Sequence, residues 1–367
     1  MKKIYQNIIL LIATVAICAL LFELGLRIAA HMFPRFACST FSELDDVFLC
    51  QLEFRISNSF SLNQSIVMAD QDICDKVDNE LGWVPKQDCR TSKYSTNSQG
   101  FRGAKEFTRQ KSKQRIIALG DSFTWGENNK DNETYPFYLE KMYNNNVDVI
   151  NMGVHGYGPD QFYLYFLRDG LKYSPDVVLF GLFLPDIHRT ILKVRDYYKP
   201  RFIFDNGRLV LDQSSMNIPD LQTAILKSAE VKKKPRIYSF SFLYELYSKF
   251  ARLATAYSEE ASLTLKIIED MNDKLKKENI KLVVVLIPEQ EMIEKNNADY
   301  YGVVPKITQA LESKGIAYIN LQPELKRETE AGNESLYIGH LKPIGNYAVA
   351  NIVFNELNKK KLLHSGK

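Results

Sequence analysis

The sequence predicts an α/β protein built on a parallel sheet, and three observations predict it. Five short apolar runs, Arg115–Leu119, Val147–Ile150, Val177–Phe183, Leu282–Ile287 and Ile316–Ile319, are separated by amphipathic segments long enough to be helices. The runs are nearly continuous rather than alternating, as strands buried on both faces are. Helix-start signals lie between them. Thr134 can cap a segment that Pro136 opens and that runs through Tyr143, and Pro159-Asp160 opens another that runs to Leu171, before Ser174-Pro175. Strands alternating with helices give a three-layer architecture whose ligands sit at the carboxyl edge of the sheet.

Composition excludes little and supports a globular chain. At 367 residues, 45% hydrophobic and 25% charged, the protein can bury a full α/β core with extensions. A formal charge of +3 gives no reason to expect nucleic acid, and the basic runs Lys232–Lys234 and Lys359–Lys361 read as solvated surface.

The N-terminus reads as an address. Lys2 and Lys3 precede the uncharged, mostly apolar stretch Ile8–Phe22, and Leu24-Gly-Leu26 extends it past Glu23. Ile4 to Leu26 is about the length of a bilayer span, roughly 20 residues. The lysines favour a cytoplasmic N-terminus with the rest of the chain outside. We therefore assign residues 1–32 to a signal-anchor transmembrane segment. The rival is a cleaved signal peptide cut near Ala29-Ala30, which Arg27 disfavours. Cys18 follows Ile17 rather than a small residue and makes a poor lipoprotein site.

The other cysteines, Cys38, Cys50, Cys74 and Cys89, are confined to one stretch. Two disulfides in an oxidising compartment fit this pattern, with three pairings open. No C-x-x-C pair or histidine cluster suggests zinc, and no cofactor is expected. Residues 33–112 read as an extracytoplasmic collar clamped by those disulfides, ending in the turn-rich Thr96-Asn-Ser-Gln-Gly-Phe-Arg-Gly103. The α/β domain spans 113–360. It carries an insertion over about 188–260, with a hairpin from Phe202-Ile-Phe204 to Leu209-Val-Leu211 across Asp205-Asn-Gly207 and a helical stretch from Ile237 to Tyr257. The insertion could lid the site or simply pack against the domain.

The chemistry-bearing motif is Gly120-Asp121-Ser122 at the end of the first core strand. A buried strand that stops at these residues presents a serine hydroxyl at the ligand-bearing edge. Asn151-Met152-Gly153 follows the second strand, Gly181-Leu-Phe-Leu-Pro-Asp186 ends the third, and His340 precedes the last helix in Gly339-His-Leu-Lys-Pro343.

With Leu119-Gly-Asp-Ser-Phe-Thr-Trp-Gly126, Glu133-Thr-Tyr-Pro136, Asn151-Met-Gly153, Ser174-Pro-Asp-Val-Val178 and His340-Leu-Lys-Pro-Ile-Gly345 in this order, the chain resembles the SGNH, or GDSL, hydrolases over roughly 80–360. It is most similar to their membrane-anchored branch linked to carbohydrate O-acyl chemistry. The resemblance implies a flavodoxin-like fold, Ser122 as nucleophile and His340 as base. It also implies an oxyanion hole from the backbone N–H groups of Ser122 and Gly153. The physical need is plain: a serine hydroxyl requires a base within hydrogen-bond reach, and imidazole can take and return the proton near neutrality. Glycine lets a backbone donor approach a developing oxyanion.

Two positions depart from the family pattern. Pro185 stands where an asparagine donor is usual, a loss of roughly 3–4 kcal/mol of oxyanion stabilisation. Tyr337 and Ile338 stand where the triad aspartate is usual. Glu334 and Asp186 are the carboxylates considered for the acid; Glu289 and Glu291, after Pro288, are considered for sugar contact or a displaced acid. Phe123 and Trp125 flank the nucleophile, for sugar stacking or for packing.

Two functions follow. One is an exported, membrane-anchored serine esterase or O-acetyltransferase acting on acyl esters of a cell-surface glycan, working beside envelope polysaccharide-assembly proteins. The alternative is a catalytically degenerate protein of the same fold that binds glycan or scaffolds an envelope assembly.

Overall fold

The computed structural model describes residues 2–32, 74–193, 195, 198–214, 216, 258–294, 302–332 and 334–363. The chain divides into two compact units, residues 1–68 with 219–256, and residues 69–218 with 257–367. Of the first unit only helix α1, Lys2–Met32, is described. Leu10, Leu11, Val15, Ile17, Leu20, Leu21 and Phe22 on it are exposed. Among the described residues no helix is long and apolar enough to cross a membrane. The helical stretch expected at 237–257 and the cysteines Cys38 and Cys50 lie outside the described residues.

In the second unit, strands β1 (Asp75–Asp78) and β2 (Gly82–Pro85) form a small hairpin. They precede β3 (Gln114–Gly120), helix α2 (Ser122–Trp125), α3 (Tyr135–Met142), β4 (Val147–Gly153), α4 (Pro159–Tyr165) and β5 (Val177–Phe183). A second hairpin, β6 (Arg201–Asp205) and β7 (Arg208–Asp212), pairs Phe204 with Leu209. Then come α5 (Ser258–Lys277), β8 (Lys281–Ile287), α6 (Gln290–Glu294), α7 (Val303–Ser313), β9 (Ala317–Asn320) and α8 (Gln322–Gly332). A two-residue hairpin, β10 (Tyr337–Ile338) with β11 (His340–Leu341), leads into α9 (Pro343–Lys359).

The sheet is five-stranded and parallel, in the order β4-β3-β5-β8-β9. From β3 the chain steps outward to β4 and then returns to the other side of β3 as β5. That reversal makes the carboxyl end of β3 the topological switch point, where open α/β sheets bind ligands. Period-two alternation divides the strand side chains between two cores. Ile117, Leu119, Val178, Phe180, Val284 and Leu286 face one cluster with residues of α4, α5 and α7. Ile116, Ala118, Leu179, Val283 and Val285 face the other with α3 and α9. Burial on both faces explains why the strands read as unbroken apolar runs.

The expected strands and helix starts are present: β3, β4 and β8 are extended by one to three residues, β5 has the expected bounds and β9 is shifted by one residue. One element differs. The helix expected from Pro159 to Leu171 stops at Tyr165, continuing as a π-turn over Phe166–Gly170 and a 3-10 turn over Leu171–Tyr173. Gly170 packs where a Cβ would meet the Phe166 ring at 2.7 Å and the Met152 sulfur at 3.2 Å, so close packing against β4 takes precedence over helical continuity.

The described part of the collar carries a Cys74–Cys89 disulfide. It packs on the loops at the carboxyl edge. Arg102 is almost fully buried and donates to the carbonyls of Trp125, at 3.1 Å, and Asn129, at 2.8 Å. Burial pulls its guanidinium down to about 10, yet Asp131 still pairs with it at 2.8 Å. In the insertion, Lys199 is completely buried and bonded to Asp160, also completely buried, with the carbonyls of Arg189, Leu192 and Pro200 around its ammonium.

Two outcomes follow for stability. Replacing Lys199 with Met strands the Asp160 carboxylate in the interior, and its unfolding free energy should fall by about 3–5 kcal/mol, read as a lower denaturant midpoint; an unchanged midpoint would contradict the buried pair. Gly153 closes the β3–β4 ladder opposite Gly120, and a Cβ there would lie 2.3 Å from the Trp125 nitrogen and 2.7 Å from the Thr124 carbonyl carbon. Gly153→Ala must therefore displace the backbone of α2, and a loss of about 1–3 kcal/mol is expected in the same measurement.

Candidate functional site

The nucleophile turn is built by Asp121. Its side chain caps α2, Oδ1 accepting the Phe123 N–H at 3.0 Å, and Gly126 ends the helix in the left-handed region at φ 86°. The single turn between them sets Ser122 at the sheet edge, 8% exposed. His340 arrives from the β10–β11 hairpin. Gly339 between the strands has φ 71° and donates its N–H to Gln290 Oε1 at 3.3 Å. Tyr337 donates its hydroxyl to the Pro288 carbonyl at 3.2 Å. Asn129, on the loop after the nucleophile, donates to the Leu341 carbonyl at 2.8 Å, and Asn346 reinforces that carbonyl at 3.2 Å while its Oδ1 accepts the Tyr135 N–H. These bonds tie the histidine hairpin to the nucleophile loop. His340 Nε2 stands 2.9 Å from Ser122 Oγ, with its ring 4.9 Å from that of Phe123.

Ser122 Oγ has a second partner, Asp121 Oδ2 at 3.2 Å. A serine hydroxyl has one proton, so the two acceptors compete and the shorter contact is to imidazole. Burial lowers the His340 pKa, against the opposing pull of Asp121 and Glu127. The ring is therefore neutral at neutral pH and has a lone pair to offer.

Neither carboxylate considered for the acid stands at His340. Glu334 is 58% exposed and pairs with Lys342 at 3.2 Å. Asp186 is completely buried and held by Arg189 Nη1 at 2.9 Å, the same nitrogen lying 3.5 Å from Asp121 Oδ2. Burial, with Asp121 beside it, pushes the Asp186 carboxyl well up, while Arg189 pulls the other way. The physical reason is local: each acid has a cation three to eight residues away in sequence that reaches it first. Burial also raises the pKa of Glu289, and Trp125 is 1% exposed, which leaves Trp125 as packing rather than a stacking platform.

The oxyanion donors also differ from expectation. Gly153 donates its N–H to Asn151 Oδ1 at 3.0 Å, so this amide is occupied, and the glycine serves the close approach of α2. The amides without a partner among the described residues at this edge include Ser122 N–H and Gly156 N–H, the latter in a turn with φ 71°. Pro185 opens the 3-10 turn Leu184–Ile191.

Three residues were not singled out from sequence, Asn129, Asn346 and Glu127; His155, with His188 an alternative to His340 as the base, is found paired with Glu127. His155 Nδ1 lies 2.6 Å from Glu127 Oε2, and its ring sits 4.6 Å from that of Trp125. The signal for Asn129 and Asn346 was weak, since buried asparagines look like surface ones in a sequence. His188, the other histidine that the sequence offers as an alternative base, pairs with Glu260 at 3.2 Å. Among the described residues no group of histidine, cysteine and acidic side chains could hold a metal ion.

No family model matches this chain, and no curated protein does. Solved structures do. The chain is similar to a lipolytic protein of the G-D-S-L family from Desulfitobacterium hafniense DCB-2, at 15% identity over 66% of this chain and 98% of the other, with a TM-score of 0.35. It is similar to an acetyl xylan esterase at 16% identity, over 66% and 99% of the two chains, with a TM-score of 0.40. It is likewise similar to a GDSL-like lipase from Bacteroides thetaiotaomicron VPI-5482 at 15% identity, over 68% and 89%, with a TM-score of 0.38.

Proposed function

We propose that this protein is a serine esterase or O-acetyltransferase of the SGNH type. It acts on acyl esters of a cell-surface glycan from the outer side of a membrane, to which residues 1–32 anchor it. The observation that carries the chemistry is the 2.9 Å contact between Ser122 Oγ and His340 Nε2 at the switch point of the sheet. His340 takes the hydroxyl proton as Oγ attacks the acyl carbonyl. The oxyanion meets the N–H of Ser122, and an acyl-Ser122 intermediate forms. Water then completes hydrolysis, or a sugar hydroxyl completes transfer.

The address rests on sequence. The two lysines before a long apolar stretch support an anchor with its C-terminal domain outside, and the Cys74–Cys89 disulfide fits an oxidising compartment.

A second reading has its own observation. Among the described residues no carboxylate is hydrogen-bonded to His340, and Gly153 N–H is already engaged. In serine proteases, disabling the partner of the histidine costs about four orders of magnitude. A degenerate protein that binds glycan without turnover would carry the same departures.

A fluorophosphonate should label wild-type protein on Ser122, with acetate released from an aryl acetate. Ser122→Ala should abolish both, and His340→Ala should slow release by about 10²–10⁴-fold. Glu334→Gln should stay within about twofold of wild type, since its carboxylate serves Lys342. Unlabelled wild-type protein that still binds glycan would establish the second reading instead.

The pH profile has a definite sign. Only neutral His340 can accept the proton, and burial lowers its pKa from the ordinary 6.5. Acylation by an aryl ester should therefore rise with pH along a limb centred below 6.5 and level off above it. A limb centred well above 6.5 would contradict His340 as the base.

A further inference from the structure

A cavity of about 350 Å³ lies between the collar hairpin β1–β2 and the chain that follows α4. Ligand sites run from about 300 to 1,000 Å³. This one belongs to the amino edge of the sheet. Tyr173, on its wall, has a carbonyl that accepts from Arg115 Nη1 at 2.7 Å, and Arg115 is the second residue of β3. At about 3.3 Å per residue along β3, Ser122 is roughly 20 Å away. Two tyrosine hydroxyls open into the cavity. Tyr165 is 3% exposed and Tyr173 4%, their rings packed against Tyr157 and Phe101. Neither hydroxyl has a hydrogen-bond partner among the described residues, and neither is sealed off, so each faces the space that both rings line. Burial and the nearby Asp169 push the Tyr165 hydroxyl up, so it keeps its proton and can donate. A largely buried hydroxyl without a partner is unfavourable, and a ligand oxygen would satisfy it. The charge around these hydroxyls is uneven. Arg168 spans Asp78 and Asp169, each at 2.8 Å, and Lys172 shares Asp169 at 3.0 Å. Glu80 reaches Arg168 at 3.5 Å and Glu106 accepts from Ser98, so both are taken. Lys76 and Arg109 line the cavity with no partner among the described residues, so the uncompensated charge is positive. The π-turn Phe166–Gly170 carries Arg168 and Asp169, and such turns recur at functional sites.

We propose that this cavity binds a carboxylate-bearing sugar unit of an acidic glycan, with Lys76 and Arg109 taking the carboxylate and the Tyr165 and Tyr173 hydroxyls taking the sugar oxygens. Apart from Val84, Pro85 and Phe101 the lining is polar, which suits a hydroxylated ring better than the side chains of a peptide. The site does not depend on the reading of Ser122 and His340 as an acylating pair. In an esterase it holds a polymer at a distance from the reacting ester, and in a protein without turnover it holds the glycan all the same.

The probe is trigalacturonate, titrated calorimetrically into the full-length protein beside its methyl ester, triglutamate and inorganic phosphate. Wild type should bind trigalacturonate, and Ser122→Ala should bind it equally well. The double variant Lys76→Gln/Arg109→Gln should lose about tenfold or more in affinity, the weight of a charge-assisted hydrogen bond. Tyr165→Phe, which removes only the hydroxyl, should lose about threefold or more. Its denaturant midpoint should stay that of wild type, which separates a binding role from a structural one and keeps the test decisive if the double variant fails to fold. No binding by wild type would overturn the site. So would full affinity in the double variant, or binding of the methyl ester, triglutamate or phosphate as tight as that of trigalacturonate. Fluorophosphonate labelling of Ser122 is read separately on the same protein, so failure of either result leaves the other standing.

Discussion

The site depends on one meeting of a hydroxyl and an imidazole from segments 218 residues apart. Neither local segment could hold it alone. The β10–β11 hairpin has two residues per strand, too few to be stable in isolation. It is held by bonds to other elements: Asn129 from the nucleophile loop, Asn346 from α9, Gln290 and Pro288 from the loop after β8. Asn129 is central because it sits on the nucleophile loop and grips the carbonyl of the residue after the histidine. The collar then secures that loop from the other side, through Arg102 on the Asn129 carbonyl. One asparagine thus links the collar, the nucleophile and the base.

Beneath this surface lies a layer of buried charge. Arg189 bridges Asp121 and Asp186, and Lys199 joins Asp160 to the backbone of the insertion. Such groups are costly to bury and costlier to leave unpaired. Their return is placement. Arg189 also donates to the Tyr157 carbonyl at 3.0 Å, so the loops after β3, β4 and β5 share one cation. Burial and the neighbouring Asp121 raise the Asp186 pKa, and Arg189 opposes that rise.

Much of the fold could be read from the chain because its signals are local. Each core strand is an apolar run, each helix start has its cap or proline, and the hairpin at Asp205-Asn-Gly207 has its turn residues. Ser122 was legible for the same reason, standing at the end of such a run. His340 needed the resemblance, since nothing in the hairpin alone distinguishes a base from a surface histidine. Partnerships were not legible. Gly153 reads as an oxyanion donor, but Asn151 takes its N–H two residues away, a side-chain choice that spacing does not encode. Asp186 and Glu334 read as acids, but Arg189 and Lys342 compete for them, and that competition is decided by geometry. Glu127 and His155 are 28 residues apart and meet only because β3 and β4 are neighbours in the sheet.

A triad acid does two jobs, orienting the imidazole and stabilising its charge when it takes the proton. Here the jobs are divided. Orientation comes from the clamped hairpin and from Phe123, whose ring packs on His340 and is itself stacked on Phe183 at 4.1 Å. Charge stabilisation comes through space, since Asp121 and Glu127 both act to favour protonated His340 while burial opposes it. Asp121 lies on the nucleophile's own side, already in contact with Oγ at 3.2 Å. A ring held by packing rather than by a carboxylate keeps no fixed tautomer, and Nε2 must be unprotonated to accept. Asp121 supplies a reason for that choice too. With its carboxylate at Oγ, the hydroxyl proton is drawn in two directions, and transfer to Nε2 is the one that frees Oγ to attack with the proton on the base. The adjacent aspartate therefore does more than hold a turn: it shapes the state of the nucleophile that a missing acid would otherwise have left to the histidine alone.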